Sequence, residues 1–469
     1  MKSVFSICSI FLCAFALSNY GCTQVAANLS AQDLPNAPLP SQSSAPASQG
    51  PQSAQGPQSG PAASPQRLSL KDAEALALKN NPQISVGRLT ALAAQQVVRE
   101  TRSSLWPTVS GDLTGVDSLS NSRITAGGLN NPIIYDRAAG GVTAGQLITD
   151  FGRTTNLVSS ANLAAKAEAQ NSQATDQQIL LAVNQAYYSV LQTHAVLRVA
   201  EETVKDRQLV TDQVSALAAN KLKSDLDLSF ANVNLAQAKL LLLDAENNDK
   251  ASQTSLSAIL GFPTLQNFVL VEDTEPLTAP PGDVDDLIAE SFAKRPEIHA
   301  LEYQYESSQK FKTAERDLLL PEVRALGAVG GAPVRNDHLS SWYWAVGANI
   351  NIPIFNGFLY SARAHEADLR SQAAHDRLLD LRNRISRDVR TSWLNANSAY
   401  QRLSVTQQLE QQAQLALNLA QSRYQLGLGS IVELSQAQLQ ATQAEIGTAQ
   451  AGYDYRAALA ALRYQTSGL

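Results

Sequence analysis

An internal duplication that spans nearly the whole chain is the feature that most constrains its fold. Residues 81–84 (NPQI) correspond to residues 295–298 (RPEI), a shift of 214 positions (295 − 81). Beyond the strands described below, the shift falls to 206 (434 − 228), so the second copy has lost eight residues (214 − 206) between its strands. The copies are predicted to cover residues 68–275 and 283–469, joined by a Pro-rich connector at 276–282.

Each copy is predicted to contain a helix, two strands, a very long helix, a turn and a second very long helix. In the last of these helices, residues recur at alternating spacings of three and four, which is typical of a coiled-coil seam. Helices of about 60 residues would extend roughly 90 Å at 1.5 Å per residue, a length that an ordinary globular domain does not use. The seam consists of Leu434, Ala437, Ala441, Ala444, Thr448, Ala451, Tyr455, Ala458 and Leu462.

The clearest predicted strand begins at Trp342 and alternates with a period of two. Its odd-numbered residues are small or polar, whereas its even-numbered residues are apolar. This alternation is typical of a membrane-spanning strand with lipid on one side and water on the other, and the tryptophans fit an interfacial girdle. The predicted lipid-facing residues are Trp342, Trp344, Val346, Ile350 and Ile352, followed by Ile354.

Three further strands are predicted, at residues 108–116, at residues 141–149 and directly after Pro321. Four strands cannot close a barrel, because single-chain membrane barrels start at about eight strands. Open strand edges in lipid would also leave backbone groups unpaired. The strand count therefore predicts that the chain oligomerises to complete a barrel.

The first 27 residues predict a secretory signal peptide. Lys2 supplies the positive charge, residues 4–17 form the apolar segment, and small residues before Ala27 allow cleavage there. All three cysteines precede this site, so the mature chain would have no disulfide and no cysteine metal site. Cys22 is an alternative lipidation site, although Asn19 occupies a position where an aliphatic residue is preferred.

Residues 28–67 are rich in Pro, Ser, Gln, Gly and Ala, and they predict a disordered spacer. After the signal segment, no stretch of eighteen consecutive apolar residues occurs that would predict a transmembrane helix. Entry into a membrane would therefore have to use β-structure.

The composition and motifs argue against nucleic-acid binding and against catalysis. The net charge is −6 and charged residues make up 17%, a mildly acidic balance that does not suit nucleic acid as a partner. The five histidines form no H-E-x-x-H pattern, and the chain contains no G-x-S-x-G or phosphate-binding loop motif. We therefore expect no enzyme activity and no cofactor, and the energy for any transport would come from a partner.

The ordered set of elements resembles the TolC family of outer-membrane efflux proteins. Residues 423–434 (RYQLGLGSIVEL) are similar to the family's second periplasmic tip, where R-Y-x-x-G-x-x-S/T-x-x-D/E-L/V precedes an Ala/Gln-rich helix. The resemblance covers residues 68–469. Pro107 and Pro321, each before a strand, match the positions where the family's helices turn into its barrel.

This resemblance implies a mainly α fold with a membrane β-barrel contribution. The family assembles as a homotrimer with a twelve-strand β-barrel in outer-membrane lipid and a twelve-helix α-barrel that extends into the periplasm. It docks to a periplasmic adaptor protein, which is coupled to an inner-membrane pump. Three copies of four strands give twelve, in agreement with the strand argument.

The turns between the long helices contain the candidate gate residues. Ser224 and Ser430, each followed three residues later by an acidic residue, form capping-box patterns or near variants of them, so these residues can simply begin helices. In the family, acidic rings narrow the periplasmic entrance just beyond this turn. Glu433 matches the first acidic position, while Gln436 replaces the second. The gate candidates are Asp225, Asp227, Glu433 and Gln436.

The residues just before these caps are the candidate adaptor-docking tips. Gly427 and Gly429 suit a helix end that requires positive φ. The first copy instead has Asn220, which also tolerates positive φ, together with Lys221 and Lys223, which could pair with an acidic adaptor. A solvated helical hairpin is the alternative interpretation.

The sequence thus favours an export duct at the outer membrane, part of a tripartite efflux or type I secretion system. The alternative is a structural or adhesive envelope protein that uses its coiled coil as a periplasmic spacer. Single-channel conductance would separate the two, because only a duct should open stably and select cations. The cargo and the class of pump are left open by the sequence.

Overall fold

The computed structural model describes residues 66–117, 137–272, 276–332 and 340–466. The predicted signal peptide, Cys22 and the spacer up to residue 65 lie outside these ranges. The first strand begins at Gln66, so residues 66 and 67, which we assigned to the spacer, belong to the folded part.

The two copies contain matching elements in the same order. The first consists of β1 (Gln66–Leu68), α1 (Leu70–Asn80), α2 (Pro82–Ser103), β2 (Thr108–Val116), β3 (Arg137–Thr149), α3 (Arg153–Ala219), α4 (Asp225–Ile259) and β4 (Phe268–Leu270). The second consists of α5 (Val284–Lys294), α6 (Pro296–Arg316), a short 3-10 turn (Asp317–Leu319), β5 (Glu322–Gly331), β6 (Trp342–Asn351), α7 (Leu359–Gln425) and α8 (Ile431–Gln465).

Two short helices precede the strands in each copy, where the sequence predicted one. The break falls at Pro82 and Pro296, because a residue before proline avoids the helical region. Asn81 and Arg295 accordingly have ψ of 123° and 124°. Asn81 also caps α2, since its Oδ1 accepts the N–H of Gln83 at 2.9 Å.

The residues at these breaks also donate hydrogen bonds to the end of the last long helix in their own copy. The side-chain amide of Asn81 donates to the carbonyl of Ile259 at the end of α4, at 2.8 Å. In the second copy, Arg295 donates to Oε1 of Gln465 at the end of α8, at 2.7 Å. Residues 259 and 465 are equivalent under the shift of 206, so both contacts, here called the repeat clasps, close their copies at the same place.

The two long helices of each copy differ in length, whereas the sequence predicted similar ones. α3 and α7 contain 67 residues each, and α4 and α8 contain 35 each. The longer helices extend about 100 Å at 1.5 Å per residue. Most of the predicted seam of α8 is buried, including Leu434, Ala441 and Tyr455. Among the described residues, no helix is both long enough and apolar enough to cross a membrane.

The helices pack side by side as a layer. Beyond the clasps the order is α4–α3–α8–α7, and nearer the strands it is α2–α3–α6–α7. In both regions α7 forms one edge of the layer. The opposite edge is formed by α4 beyond the clasps and by α2 nearer the strands.

The four predicted strands form one antiparallel sheet in the order β2–β3–β5–β6. The register places most of the large apolar residues of the four strands on one face, such as Val109 opposite Ala144 and Val329 opposite Trp344. The other face is mostly polar or small, with Leu326 as an apolar exception, and it includes Ser110, whose hydroxyl lies 2.7 Å from that of Thr143. The sheet is therefore two-faced across its whole width. A β-bulge interrupts the pairing of β3 with β5 between Leu147 and Thr149.

A small parallel pair, β1 with β4, was not predicted from the sequence. Tyr187 of α3 is fully buried beneath it, and its hydroxyl donates to the carbonyls of Leu68 at 3.0 Å and Val271 at 2.6 Å. This three-residue pair is too short to give a periodic sequence signal, and the contact with Tyr187 fixes it against the long helix.

Candidate functional site: the two hairpin tips

Each pair of long helices ends in a tight turn, here called tip 1 (residues 220–224) and tip 2 (residues 426–430). Both turns close in the Schellman pattern. In tip 1 the N–H of Leu222 donates to the carbonyl of Leu217 at 2.9 Å, and in tip 2 that of Leu428 donates to Arg423 at 2.8 Å. The two copies therefore build the same turn from different residues.

This pattern requires one residue with positive φ in each turn. Gly427 has φ of 74° in tip 2, as predicted. In tip 1 the residue is Lys221, with φ of 58°, and not Asn220, whose φ is −92°. The suggestion that Asn220 supplies the positive φ was wrong, because the pattern needs it at the next residue, which is equivalent to Gly427.

Gly429 serves a different purpose from Gly427, since it is not among the glycines with positive φ. A Cβ at this position would lie 3.2 Å from both Cβ of Arg423 and Oε2 of Glu433. The absence of a side chain therefore lets the end of α7 approach the start of α8.

Ser224 and Asp227 form a complete capping box at the start of α4. The N–H of Asp227 donates to Ser224 Oγ at 3.1 Å, and the N–H of Ser224 donates to Asp227 Oδ2 at 3.2 Å. The capping interpretation of these residues is therefore confirmed. The carboxylate of Asp227 remains half-buried, while Asp225, in the same first turn, is exposed.

Glu433 uses its carboxylate differently from Asp227. Its N–H donates to Ser430 Oγ at 3.1 Å, so Ser430 caps α8 as predicted. Its carboxylate turns to Arg423, whose Nε lies 3.2 Å from Oε1. The second hydrogen bond of a capping box, from the N–H of Ser430 to the Glu433 carboxylate, is absent. Glu433 instead forms an ion pair within its own chain. Gln436, one turn further on, is exposed.

Lys223 links tip 1 to the end of α7. Its Nζ lies 3.8 Å from the centre of the Tyr424 ring and 3.4 Å from the Tyr424 carbonyl. Because this cation–π contact engages the ammonium group, Lys223 is less available to an external acidic surface than the sequence suggested. Lys221 is exposed.

Tyr424 lies at the centre of this arrangement. It is buried, and its hydroxyl lacks a hydrogen-bond partner among the described residues. Burial raises the pKa of Tyr424, and the nearby negative charge of Asp227 raises it further. The neighbouring Arg423 and Tyr424 thus interact with the two carboxylates in different ways, Arg423 through an ion pair with Glu433 and Tyr424 through the charge of Asp227.

Arg423 and Tyr424 were part of the motif we quoted, yet neither was predicted to act at the tips. Their position could have been found from the turn itself. A Schellman turn reverses the chain after Gln425, so residues shortly before Gly427 face residues shortly after it. Within the described ranges, no group of three His, Cys, Asp or Glu side chains is placed to bind a metal ion.

The predicted lipid-facing residues lie on β6 except for Ile352 and Ile354. Trp342, Trp344, Val346 and Ile350 are exposed members of the apolar face of the sheet. Ile352 is also exposed, but it lies one residue beyond the end of β6, because the strand ends before Pro353.

Comparison with known proteins agrees with this architecture. The sequence profile of the outer membrane efflux protein family matches residues 75–262 and 287–467, one segment in each copy. The cation efflux system protein CusC of Escherichia coli O157:H7 is 24% identical over 382 residues, 77% of this chain and 78% of its own length. The antibiotic efflux pump outer membrane protein ArpC of Pseudomonas putida is 24% identical over 378 residues, 79% of this chain and 77% of its own.

The fold is also similar to solved structures. That of the Campylobacter jejuni CmeC outer membrane channel superposes with a TM-score of 0.75 at 18% identity and covers 85% of both chains. A duplicated chain with a two-faced sheet on helices of this length defines the class of outer-membrane channel proteins. This chain belongs to the outer membrane efflux protein family, which confirms the resemblance found in the sequence. It acts in efflux and is located in the cell outer membrane.

Proposed function

We propose that three copies of this chain form a passive duct that crosses the periplasm and the outer membrane as part of a tripartite efflux system. The observation that carries the proposal is that, within the described residues, the sheet and the helix layer each have two open edges. In this part of the chain β2 and β6 each lack a neighbour on one side, and α4 or α2 lies at the opposite edge from α7. A layer with two unlike edges closes into a ring when the edge of one copy meets the other edge of the next.

The edge helix α4 supports ring closure because it has two apolar sides. Ala231 and Leu235 are buried against α3. Leu226, Val233 and Leu240 recur every seven residues and are exposed. At about 100° per residue they lie on the side opposite α3. This second seam has no partner within the described chain.

The other edge helix, α7, offers a matching surface. Ala413 and Ala420 are buried, whereas Leu415 and Leu419 are exposed on the opposite side of the helix. We propose that this seam packs against the α4 seam of the next copy, since small and medium apolar residues at these spacings pack as coiled coils do.

The sheet supports a shared twelve-strand barrel with lipid outside and water inside. Its continuous apolar face suits lipid, and its polar face suits a channel lined by water. Pairing of β2 with β6 of the next copy would satisfy the backbone groups of both edge strands.

The tips are the proposed contact with a periplasmic adaptor protein, which would connect the duct to an inner-membrane pump. Leu222 and Leu428 protrude at equivalent positions and are exposed, so they offer apolar contacts beside Lys221. Relatives of equal identity are named for cation efflux and for antibiotic efflux, so the proposal extends to efflux and to no particular cargo.

Ring closure is tested by mass and conductance together. Sedimentation or light scattering in detergent should give three chains per particle, and planar bilayers should show stable single-channel openings. A stable monomer would remove both the barrel and the duct. A trimer that shows no conductance, even when its periplasmic entrance is opened or destabilised, would instead favour a structural or adhesive envelope protein.

The acidic residues that follow the tips, in the first turns of α4 and α8, are the proposed gate. In a trimer, Asp227 and Glu433 would contribute six carboxylates near the periplasmic entrance, and such a ring favours cations over anions. The ion pair between Glu433 and Arg423 reduces the charge of the second set. Asp227 should therefore dominate cation selectivity.

Substitution of the two carboxylates separates gating from capping. Asp227→Asn and Glu433→Gln, combined, should reduce cation selectivity and block by multivalent cations, with little loss of trimer. Asp227→Asn alone should have the larger effect of the two single substitutions. If selectivity and block are unchanged while the melting temperature falls, the two carboxylates have structural roles only, Asp227 as a helix cap and Glu433 as the ion-pair partner of Arg423.

A further inference from the structure

The polar face of the sheet contains a hollow midway along its strands. Its volume is about 590 Å³. The side chains around it belong to the polar face, which would line the lumen of the proposed barrel, and they include Thr108, Ser110, Thr143, Arg324 and Leu326. The hollow therefore opens on the side of the sheet that the proposed barrel assigns to water.

Arg324 places an open hydrogen-bonding group at the end of the hollow nearer the helices. Its Nε forms an ion pair with Glu322, two residues earlier on the same face of β5. The two terminal nitrogens of its guanidinium group make no hydrogen bond to the described part of the chain. The side chain of Arg324 is 61% exposed. Two parallel N–H groups match the two oxygens of a carboxylate, so the free side of this guanidinium group suits such an anion.

Three hydroxyl groups line the hollow on β2 and β3. Thr108 donates its only O–H to the carbonyl of Gly145 at 3.3 Å. Ser110 and Thr143 share one hydrogen bond of 2.7 Å, which uses the proton of only one of the two hydroxyls. The second hydroxyl proton of this pair is left for a further acceptor. The hollow therefore offers a neutral donor in addition to the guanidinium group.

Leu326 gives the hollow an apolar surface among these polar groups. It lies opposite Gly145 on β3 and opposite Gly347 on β6. Because both of these neighbours lack a side chain, the leucine stands alone in its row, and it is 49% exposed. An apolar surface beside a few convergent polar groups is typical of sites that bind small organic molecules.

The guanidinium end of the hollow is distant from the next carboxylate of the described strands on this face. That carboxylate belongs to Asp112, which lies in the same row across the sheet as Tyr343. Arg324 lies opposite Asn349, six residues along β6 from Tyr343 (349 − 343). Six residues span about 20 Å at 3.4 Å per residue, which is more than twice the Debye length of about 8 Å at physiological salt. Within the described sheet, only Glu322 therefore competes with an anion for Arg324.

We propose that this hollow is a cargo subsite on the lumen wall, and that it takes an organic carboxylate with an apolar body. The carboxylate pairs with the free side of the Arg324 guanidinium group, and the apolar body covers Leu326. The inference rests on the proposed duct and adds to it the chemistry of one class of cargo. A trimer would carry three such subsites around its lumen.

Block of single-channel currents by naphthoate tests the subsite. The probe is added on the side of the proposed barrel opposite the helices, so it reaches the sheet without passing the tips. Wild-type trimers in planar bilayers should show brief current interruptions whose frequency rises with naphthoate concentration. Arg324→Gln should shorten these interruptions about tenfold, because a charge-assisted pair of hydrogen bonds is lost. Leu326→Ser should shorten them several-fold, because the apolar contact is lost.

Two carboxylate substitutions are the matched controls. Glu322→Gln removes the group that competes for Arg324 and should lengthen the interruptions. Asp112→Asn removes one carboxylate from the same face, about 20 Å away along the strands, and should leave the interruptions unchanged. Equal lengthening by both substitutions would mean that the overall charge of the lumen retains naphthoate, and it would overturn the subsite.

The outcomes also separate this inference from the proposed function. Trimers that open stably but show no interruptions with naphthoate would leave the duct in place and overturn the subsite. Equal interruptions by naphthylmethylammonium, a cation with the same rings, would also overturn it. Trimers without openings would overturn the duct and the subsite with it. Conductance equal to that of wild type in the absence of naphthoate shows that each variant has assembled.

Discussion

Lys221 and Gly427 occupy the same position in the two tips and adopt the same left-handed conformation. For a residue with a Cβ this conformation costs roughly 1–2 kcal/mol. Gly427→Ala should therefore lower the stability of the trimer by about 1 kcal/mol per chain, and Lys221→Gly should raise it. Thermal melting followed by circular dichroism would measure both effects.

Each substitution is the control for the other. Gly427→Ala adds a Cβ at the left-handed position of tip 2, and Lys221→Gly removes one at the equivalent position of tip 1. Because the measurement uses purified trimer, contacts with an adaptor do not influence either melting temperature. Shifts of equal sign for both variants would contradict the assignment of the turn.

Glu445 of α8 lies among like charges and gives a prediction for pH. Burial raises its pKa, and the carboxylates of Glu410, Asp206 and Glu202 raise it further, against the opposing charge of Arg207. A raised pKa means that the folded state binds the proton more readily than the unfolded state, so stability falls as pH rises through that pKa. Glu445→Gln should raise the melting temperature at pH 7, and this advantage should disappear below the ordinary pKa of 4.5.

The neighbouring Arg207 acts against the expected effect of Glu445→Gln on the melting temperature. It is buried, and its Nη2 donates to Thr442 Oγ1 at 3.3 Å. If the attraction of Arg207 for Glu445 outweighs the three repulsions, Glu445→Gln would lower the melting temperature at pH 7. Glu410→Gln removes one repelling charge and should act in the same direction as Glu445→Gln.

The sequence predicted the caps of the tips but not the contacts between them. Ser224 and Ser430 were predictable because a capping box is a local pattern within four residues. The contact of Lys223 with Tyr424 joins residues 201 positions apart (424 − 223), and it depends on how the two hairpins pack. The partner of Glu433 was equally hidden, since its pattern fits a capping box as well as an ion pair.

The sheet was the element best predicted from sequence. Period-two alternation identified β6 directly, and β2 was predicted with the bounds that the structure shows. The register was not predictable, because it depends on which strands are neighbours. Once the register is known, the alternating apolar residues of the four strands combine into one apolar face. The bends before Pro82 and Pro296 could have been predicted from proline alone, whereas the length of α4 and α8 depends on where the clasps end them.

The register also refines a test of the lipid-facing strand. Val346 lies near the middle of β6 on the apolar face, and Val346→Arg should reduce outer-membrane assembly because a cation near the midplane costs about 2–4 kcal/mol. Ala345→Arg, one residue away on the polar face and opposite Ala328, should be tolerated. The yield of folded trimer in outer-membrane fractions is the measurement.

Asn349, also on the polar face of β6, is a less suitable control than Ala345. It lies directly opposite Arg324 in the sheet, and like charges at opposite positions are destabilising. Equal loss of assembly for Val346→Arg and Ala345→Arg would refute the assignment of the two faces.

For the whole molecule, ring closure depends on the two unpaired seams. Val233→Asp combined with Leu240→Asp places charge in the α4 seam and should dissociate the trimer in mild detergent. Each buried apolar side chain of this size contributes roughly 1.5–3 kcal/mol, and an unpaired carboxylate there adds to the loss. Native mass spectrometry would report the fraction of trimer.

The control for this interface lies a quarter-turn away on the same helix. Asn232 is exposed on α4 but points away from both seams. Asn232→Asp should leave the trimer intact. Equal dissociation by both changes would indicate that charge on α4 acts generally and not through the seam.

The repeat clasps differ in one respect that affects how the two copies tolerate mutation. In the first copy the acceptor is the backbone carbonyl of Ile259, a group that every amino acid provides. In the second copy the acceptor is the side chain of Gln465, which many substitutions would remove. Genetic drift can therefore change residue 259 freely without opening its clasp, while residue 465 is restricted to side chains that accept a hydrogen bond. After a duplication, two halves with the same geometry thus come to carry unequal mutational robustness at the residue that accepts the clasp, since a codon change at residue 465 can remove the acceptor and one at residue 259 does not.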